Sequence, residues 1–585
     1  MSRLILFCVM LLVAAPALAA FSSAMAWDVR TTATAGDANA GGFRNGGAVA
    51  TPSAPSVSCP TTGGTVAANT YYVCVTYVDG RGREGPCSAA TSVVCTGATS
   101  RIVTTSPAAS SGVFLYHVYM GTANLPGPWF ANPGTDVAIG TDSSRTTTPA
   151  TTGTQPCGTD YSQQNASQIS YTDINEVSTT TWTSAGNPFT PAHVCNTVNL
   201  TAGTNCTVAR YEITAVSATN VATVDKASGT GTACTGVLGG SLLTLSKAAT
   251  LVVAGNNVYA KDGTYSETLT IAVSGGAGTP ITWSGYATSH GDAPTGATRP
   301  LIDAASTRAN CIVSTASVDA NIVQWFRLSG GTGSNVVSSG SSSGNTMGFV
   351  GVKSSSSAVD GFALAQPTFY VNCEAASNTG KGFNVATNCH SYMWGCEAHD
   401  NGALGVGWGQ NDANGSSVAF TLSYANAGVG FQVAEGFFRM MYNTSKSNTG
   451  ASSDGFNFAT GNGRSWPVLM AIGNISASNG RDGFRRAGTS QMSFGFFDYN
   501  DYYGNSGVPL TNILAGKNDS TADPTFTSAT DLSIGTNLKA LGFPGVFPRG
   551  TSTGYLDIGA VQRVEPAGGS GGISRARVVN SGGGR

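Results

Sequence analysis

Charged residues are scarce in this sequence: Asp, Glu, Lys and Arg make up only 10% of its 585 residues, against roughly a quarter in an average soluble protein. The net charge is −2, so the basic surplus of a dedicated nucleic-acid-binding protein is missing, and we expect no nucleic-acid partner. Disorder is not expected either, because 41% of the residues are hydrophobic. With 77 glycines, the composition indicates a β-rich protein with many turns.

Long hydrophobic runs are also missing beyond the N-terminus, so no transmembrane segment is expected once that region is removed. Residues 4–15 form an apolar run after Arg3, which is typical of a signal peptide. Small-residue cleavage motifs end at Ala19 and at Ala26; the second is preferred and would leave Trp27 as the mature N-terminus. The alternative is an uncleaved anchor. The expected location is therefore secreted, extracellular or surface-attached.

The cysteines lack any zinc-binding spacing. The sequence has 13 of them, and Cys8 would leave with the signal peptide. In an oxidising compartment the others have two plausible fates, disulfides or buried thiols. His390 and His399 lie near Cys389 and Cys396, but the repeat described below places them on different faces, so we predict no metal site.

Changes in local composition along the sequence predict an all-β chain of several parts. Strand-like segments at 71–78 and 114–119, with turn signals between them, indicate a small β-sandwich that resembles fibronectin type III-like modules in texture. The predicted parts are a signal peptide (1–26), a lead-in (27–53), the sandwich (54–157), a β-rich cap unit (158–240), a parallel β-helix (241–565) and a flexible Gly/Ser-rich tail (566–585). The sandwich could be an insertion between the lead-in and the cap unit.

Two segments bracket the predicted β-helix. Residues 254–271 resemble the first coil of secreted right-handed parallel β-helices of the pectate-lyase-like superfamily. Residues 556–562, which contain Asp557-Ile558-Gly559-Ala560, resemble the terminal motif of such proteins, including bacterial and phage-like surface proteins. The resemblance implies a fold of stacked coils and is nearly silent on activity.

Between these brackets one motif recurs: an Asn followed by a Gly-Phe pair, with Gly405 marking one copy that lacks Phe. The marks lie about 21 to 28 residues apart, which is the length of one solenoid coil. We predict that the asparagines stack as a ladder, take up the left-handed turn conformation, and are followed by a Gly that makes a sharp turn and a Phe that enters the core. The ladder residues are Asn378, Asn401, Asn426, Asn448 and Asn479. The alternative is a loose low-complexity segment, which would not keep register.

The same register aligns Cys373 with Cys396, each five residues before its Asn. We expect these two cysteines to lie above one another in adjacent coils, either bridged or, preferably, as free buried thiols. The following residues, Glu374 and Glu397, should then point outward and also stack, with their charges solvated or bridged by a cation such as Ca²⁺.

The sequence also offers candidates for catalytic residues. β-Helix lyases usually pair calcium-binding carboxylates with an Arg or Lys base, and the candidates here are Asp400, Asp454, Asp482 and Arg481, with Asp360, Arg485 and Arg486 nearby. Ordinary turn chemistry explains Asp before Gly better than catalysis does. Aromatic residues that could stack on sugars, or simply fill the solenoid, are Tyr499, Tyr502, Tyr503, Trp408 and Trp466.

The favoured function is that of a non-catalytic secreted or particle-surface rod that binds glycans or another surface, with no cofactor beyond a possible Ca²⁺. The alternative is a polysaccharide lyase or glycoside hydrolase. The two are discriminated by whether a carboxylate cluster with a facing base lies along one sheet, because the fold alone does not decide function.

Overall fold

The computed structural model describes residues 25–32, 34–44, 49–79, 84–110, 113–122, 130–131, 136–149, 155–178, 180–186, 189–218, 220–226, 228–276, 278–315, 318–338, 346–385, 390–408, 416–433, 438–459, 468–487, 493–543 and 556–562. It divides into two compact units, residues 1–243 and 244–585. Most of the expected signal peptide and the whole Gly/Ser-rich tail lie outside the described residues. In the part of the chain that is described, no helix is long and apolar enough to span a membrane.

In the described part of the first unit, the elements are strands and one short 3-10 helix, Pro191–His193. Its strands are β1 (Met25–Val29), β2 (Gly42–Arg44), β3 (Val57–Ser58), β4 (Asn69–Asp79), β5 (Thr91–Cys95), β6 (Ile102–Thr104), β7 (Val113–Gly121), β8 (Phe130–Ala131), β9 (Val137–Ala138), β10 (Ser143–Arg145), β11 (Ile169–Ser178), β12 (Thr181–Thr183), β13 (Thr197–Cys206), β14 (Arg210–Ala218), β15 (Val221–Val224) and β16 (Gly229–Leu238). Strand β1 begins two residues before the expected mature N-terminus, and Ala26 within it is buried.

Strands β3 to β10 form two antiparallel sheets around one core. One sheet has the order β10-β6-β3, and the other contains β5-β4-β7-β8 with β9 paired to β7. Alternate residues of β4 (Tyr71, Val73 and Val75) are buried in the shared core, as a strand with one inward face requires. Disulfides Cys59–Cys95 and Cys74–Cys87 cross-link this sandwich.

Strands β11 to β16 close into an antiparallel barrel of order β11-β12-β15-β14-β13-β16. Its core holds the fully buried rings of Trp182, Tyr171 and Tyr211. Disulfides Cys157–Cys195 and Cys206–Cys234 belong to this part. The lead-in joins it, because the Arg44 amide donates to the Cys195 carbonyl (2.9 Å). In sequence the sandwich therefore lies between two segments that pair with each other.

The second unit starts with helix α1 (Leu245–Ala249), and Thr244 caps it by accepting a hydrogen bond from the Lys247 amide. Its first strands are β17 (Asn257–Lys261), β18 (Thr264–Tyr265), β19 (Leu269–Ile271), β20 (Ile281–Tyr286), β21 (Leu301–Asp303), β22 (Ile312–Ser314), β23 (Asn321–Gln324), β24 (Arg327–Ser329), β25 (Val336–Ser338), β26 (Met347–Val350), β27 (Lys353–Ser355), β28 (Phe362–Leu364), β29 (Thr368–Val371), β30 (Glu374–Ala376) and β31 (Phe383–Val385). They are followed by β32 (Tyr392–Trp394), β33 (Glu397–His399), β34 (Val406–Trp408), β35 (Ser416–Ala419), β36 (Leu422–Tyr424), β37 (Phe431–Val433), β38 (Phe438–Met441), β39 (Thr444–Lys446), β40 (Phe456–Ala459), β41 (Val468–Ile472), β42 (Ile475–Ala477), β43 (Phe484–Ala487), β44 (Ser493–Asp498), β45 (Asp501–Tyr503) and β46 (Leu510–Thr511). The 3-10 helices are Gly296–Thr298 and Thr536–Leu538.

These strands form a parallel β-helix, which confirms the predicted fold class. Each coil contributes three strands, and every third strand along the chain pairs in parallel with its counterpart in the next coil. We call the sheet that runs from β17 to β44 sheet 1, the sheet from β18 to β45 sheet 2, and the sheet from β19 to β46 sheet 3. Among the described residues, sheets 2 and 3 have ten strands each.

The repeating asparagines form a continuous stack of hydrogen bonds. Each Nδ2 donates to the Oδ1 of the Asn in the next coil over 2.8–3.0 Å, from Asn378 through Asn401, Asn426, Asn448 and Asn479 to Asn505. The sequence interpretation did not include Asn505. A second, shorter ladder joins Asn443, Asn474 and Asn500 one strand earlier in each coil.

Two details of the predicted repeat are wrong. The left-handed residue is the one before each ladder Asn, for example Ser377 (φ 54°) and Ala425 (φ 53°), and the Asn itself is not left-handed. The Gly before each Phe does not have a positive φ either. A Cβ on Gly430 would lie 2.1 Å from Ser445 Oγ and 2.8 Å from Asn448 Nδ2, so this glycine is required by close approach to the ladder of the next coil.

Replacing a middle member of the ladder, Asn426→Ala, is expected to lower the free energy of unfolding by about 1–3 kcal/mol. Asn426 is fully buried and its Nδ2 donates to Asn448 Oδ1 (3.0 Å) and to the Ala398 carbonyl (3.1 Å). Thermal melts of the variant and parent would measure the loss, with the exposed Asn220→Ala as control. Equal melting temperatures for all three proteins would contradict a structural role for the ladder.

The solenoid core is stacked in columns. The phenylalanines of the Gly-Phe pairs lie parallel in neighbouring coils, as in Phe431–Phe456 (centroids 5.0 Å) and Phe456–Phe484 (4.5 Å). Cys373 and Cys396 directly precede the register pair Glu374–Glu397 and are both free and buried. Burial raises the pKa of the Cys396 thiol well above its usual range, so these cysteines serve as compact core residues.

Described residues of 520–543 and 556–562 pack on the outside of sheet 2, and we call these two ranges the C-terminal strap. Ile534, Leu538 and Ile558 pack on Ile475 and Ala477. The Gly559 amide donates to the Gly473 carbonyl (2.7 Å), and a Cβ on Gly559 would lie 2.5 Å from Ile475 Cδ1. The Asp-Ile-Gly-Ala motif therefore fixes the strap against the solenoid.

Candidate functional site

The outward face of sheet 2 carries a line of charged side chains. In three-residue strands the middle side chain points inward and the outer two point to solvent, and the burial of β24, β27 and β33 follows this rule. We call the charged strip the set Arg327, Lys353, Glu374, Glu397 and His399. Arg327 pairs in register with Lys353, Lys353 with Glu374, and Glu374 with Glu397.

Glu374 is flanked by two cations. Lys353 Nζ forms an ion pair with Glu374 Oε2, and His399 Nε2 lies 3.6 Å from Glu374 Oε1. Burial opposes ionisation of Glu374, but hydrogen bonds from His399 and Lys353 and their charges outweigh it and lower its pKa to about 2. Glu374 is therefore ionised at any ordinary pH.

Glu397, one coil further along, is biased towards its protonated form. Burial raises the pKa of Glu397, and the charge of Glu374 adds to this, although the Tyr424 hydroxyl and the His399 and Lys353 charges lower it in part. The Tyr424 hydroxyl donates to Glu397 Oε1 over 2.6 Å, so an acidic proton on Glu397 belongs on Oε2. Two stacked carboxyl groups thus favour different protonation states.

His399 holds the cluster together. Its ring is stacked on that of Tyr424 (centroids 4.9 Å, planes 2° apart), and Nδ1 lies 2.7 Å from Asp400 Oδ2. Burial works against its charged form, but hydrogen bonds to Glu374 and Asp400 and the nearby Glu397 raise the pKa of His399 to about 9. A carboxylate that stays ionised beside a carboxyl group with a raised pKa is the arrangement that acid–base catalysis on glycosides uses.

Three of the four catalytic candidates from the sequence, Asp454, Arg481 and Asp482, lie together at the turns before sheet 3, where the Asp482 amide donates to Asp454 Oδ1 (3.2 Å). Arg481 forms a two-point ion pair with the fully buried Asp454, including Nε to Oδ1 at 2.5 Å. Asp482 accepts hydrogen bonds from Arg485 (3.1 Å), Thr511 Oγ1 and the Val508 amide. These carboxylates stabilise the turns that lead into sheet 3, because their oxygens accept hydrogen bonds from neighbouring protein groups.

The other candidates are divided between core and surface. Asp360, which is 7% exposed, accepts from the Lys381 amide and from Asn384 Nδ2. Asp400 alone joins the strip, because it contacts His399 from a left-handed turn position (φ 54°). Arg486 lies on β43 and is half-buried, as its neighbour Arg485 is.

The proposed sugar-stacking aromatics do not form one platform. Trp408 is buried inside the solenoid at 2% exposure, Tyr499 and Tyr502 are half-buried, and Tyr503 is 38% exposed. Trp466 lies outside the described residues. Trp394, at 41% exposure and three residues before Glu397, is the exposed ring closest in sequence to the strip.

The strip does not resemble a cation site. Among the described side chains, no group of three or more His, Cys, Asp or Glu residues is arranged to hold a metal ion. Glu374 contacts Lys353 and His399, and Glu397 accepts from the Tyr424 hydroxyl, so both carboxylates already have partners within the protein. His390 is exposed whereas Cys396 is buried, and Cys389 lies outside the described residues.

Sequence reasoning predicted that Glu374 and Glu397 would stack, but it missed their partners. Lys353 lies in the column of the glutamates, one coil before Glu374, and Tyr424 lies in the neighbouring outward column, in register with His399 and one coil after it. Extending the repeat alignment by one coil in each direction would have found them, because outward positions recur with the same period as the asparagines.

No family model and no curated protein matches the sequence. Similar solved structures include the pectate lyase Pel9A (14% identity over 55% of this chain and 92% of that chain, TM-score 0.35) and a rhamnogalacturonan lyase (14% identity, 49% and 86% coverage, TM-score 0.31). Another is the A-module of the Azotobacter vinelandii mannuronan C-5 epimerase AlgE4 (12% identity, 46% and 91% coverage, TM-score 0.25). At these identities the likeness concerns the β-helix fold alone.

Proposed function

We propose that the protein binds a polysaccharide along the charged strip and hydrolyses a glycosidic bond there. Glu397 would be the general acid and Glu374 the ionised carboxylate. The observation that carries this proposal is the register pair Glu374–Glu397, in which one pKa is lowered to about 2 and the other is raised. Glycosidases use a pair of carboxylic acids in these two states.

The reaction balances with water as the only co-reactant. Glu397 donates its proton to the leaving glycosidic oxygen as the bond to the anomeric carbon breaks. The negative charge of Glu374 stabilises the positive charge that develops at that carbon. Water then adds to the anomeric carbon and gives its proton to Glu397, which restores the acid and leaves one new reducing end.

The basic end of the strip favours an anionic glycan. Arg327 and Lys353 are stacked in register upstream of the glutamates. Carboxylate-bearing sugars match such cations through charge-assisted hydrogen bonds. We therefore propose a polyuronate as the substrate class.

Export is part of the proposal. The four disulfides of the first unit suit an oxidising compartment, and the apolar run after Arg3 has the pattern of a signal peptide. A secreted or surface-attached protein would meet extracellular polysaccharides directly.

Incubation of the purified protein with acidic and neutral polysaccharides tests the proposed activity. We expect new reducing ends from a polyuronate, without the ultraviolet absorbance of an unsaturated sugar. Unsaturated product would show a lyase instead. No product from any glycan would overturn hydrolysis.

The second candidate is a non-catalytic glycan-binding rod. It is favoured by the ion pairs of Glu374 with Lys353 and His399, which already neutralise that carboxylate. Binding of a polyuronate without any new reducing end would support this candidate.

A further inference from the structure

The charged strip is open on one side and closed on the other. Immediately after Glu397 and His399, the next outward pair on sheet 2 is Leu422 and Tyr424, which are only 4% and 6% exposed. They are covered by Leu532 and Ala560 of the C-terminal strap, with Phe526 and Val561 packed beside them. The strap therefore begins one coil beyond the glutamate pair.

This cover is fixed in place by contacts over the next two coils. The Ala560 amide donates to Thr444 Oγ1 (2.9 Å), and Lys446 Nζ donates to the Ser528 carbonyl (3.0 Å). The Lys446 ammonium also lies over the Phe526 ring, 4.7 Å from its centroid. Together with the apolar contacts of Ile558, these bonds hold the strap on the outer surface of sheet 2.

Upstream, the strip is accessible. The side chains of Lys353 and Glu374 are 38% and 25% exposed, and Arg327 precedes them in the same column. Neighbouring coils are about 4.8 Å apart, so a glycan that contacts these residues in turn must run parallel to the solenoid axis. Such a chain would meet the strap just beyond Glu397.

We propose that the C-terminal strap is the end wall of the glycan-binding surface, so that the protein binds the terminus of a polyuronate chain while the rest of the chain extends upstream over Lys353 and Arg327. The inference rests on the function proposed above and adds its mode of action. Because the glutamate pair lies in the last two uncovered coils, hydrolysis would release short products from one chain end.

Binding to a size series of oligogalacturonates tests the end wall without requiring turnover. The Glu397→Gln variant would be titrated calorimetrically with short, medium and long chains. A one-ended site should give the same Kd per chain for every length that exceeds the strip, since each chain offers one matching terminus. An open groove should bind a chain of twice the length about twice as tightly, because the number of internal sites doubles.

The products of the unsubstituted protein give an independent measurement. An end wall predicts one short product from the earliest time points and a slow fall in viscosity, whereas internal cleavage predicts a mixture of lengths and a rapid fall. Phe526→Ala should shift the products towards longer fragments, and Leu541→Ala, which changes an exposed strap residue, should not.

The outcomes separate the two proposals. Length-dependent binding or mixed early products would overturn the end wall and leave the proposed hydrolysis standing. Failure to bind or cleave any oligogalacturonate or other acidic glycan would overturn the proposed function, and the end wall with it. Melting curves of the strap variants would establish that each remains folded.

Discussion

Replacing Glu397 by glutamine is expected to lower kcat/KM for glycan hydrolysis by about 10²–10⁴-fold, because an amide cannot protonate the leaving oxygen. The amide oxygen can still accept the hydrogen bond from Tyr424 that Oε1 accepts over 2.6 Å. The fold and the glycan affinity should therefore be retained. Initial rates of reducing-end release and calorimetric binding would measure the two effects separately.

The matched control for this variant is Asp262→Asn, which changes an exposed solenoid carboxylate outside the strip. It should keep the parental rate. An unchanged rate in Glu397→Gln would contradict the role of Glu397 as general acid, whereas parallel losses in both variants would indicate a general effect of removing charge.

The pH profile of kcat/KM should reflect the same pair. Activity needs Glu374 ionised and Glu397 protonated, so the acid limb should lie near the pKa of about 2 at Glu374. The alkaline limb should lie at the raised pKa of Glu397. An optimum above pH 9, where His399 also loses its proton, would not agree with these assignments.

Replacing Asp501 by asparagine is expected to stabilise the solenoid by about 4 kcal/mol above neutral pH. Asp501 is fully buried where Ser520, the first strap residue, pairs with β45. Burial raises its pKa from 3.8 to about 7, to which the charges of Asp523 and Asp519 contribute. A difference of this size between folded and unfolded states corresponds to about 4 kcal/mol.

The direction of this pH dependence of the stability follows from proton binding to Asp501. Between pH 4 and 7 the folded state holds the Asp501 proton more tightly than the unfolded state does, so stability falls as the pH rises through this range. Above pH 7 the full penalty of the buried charge remains. Asparagine carries no such charge, so the variant should lose this pH dependence.

Urea unfolding of the parent and Asp501→Asn at pH 4 and pH 8 would measure the effect. The two proteins should differ little at pH 4 and most at pH 8, and Asp262→Asn should follow the parent at both. A variant that is less stable than the parent at pH 8 would show that the Asp501 carboxylate makes a favourable contact when ionised.

Much of the solenoid was predictable because strand geometry is local and periodic. The Asn and Gly-Phe marks recur once per coil, and from that spacing Cys373 and Cys396, as well as Glu374 and Glu397, could be placed in adjacent coils. The spacing did not reveal which residue of the turn is left-handed, nor why a glycine precedes each Phe. Gly430 is required by Ser445 and Asn448 of the following coil, which is a contact between coils and leaves no trace in the local sequence.

The candidate site shows the same difference between local sequence patterns and contacts between coils. By itself, the sequence determined that the chain forms stacked parallel coils and that the glutamate pair points outward, because alternation along a strand needs only neighbouring residues. Only the tertiary structure decided which outward positions remain accessible. Leu422 continues the column of Glu397 and Tyr424 continues that of His399, yet both are covered by strap residues more than 100 positions later. The tertiary structure also decided the charge states of Glu374 and Glu397. Their pKa values depend on burial and on the distances to Lys353, His399 and Tyr424, and the packing of neighbouring coils sets those distances.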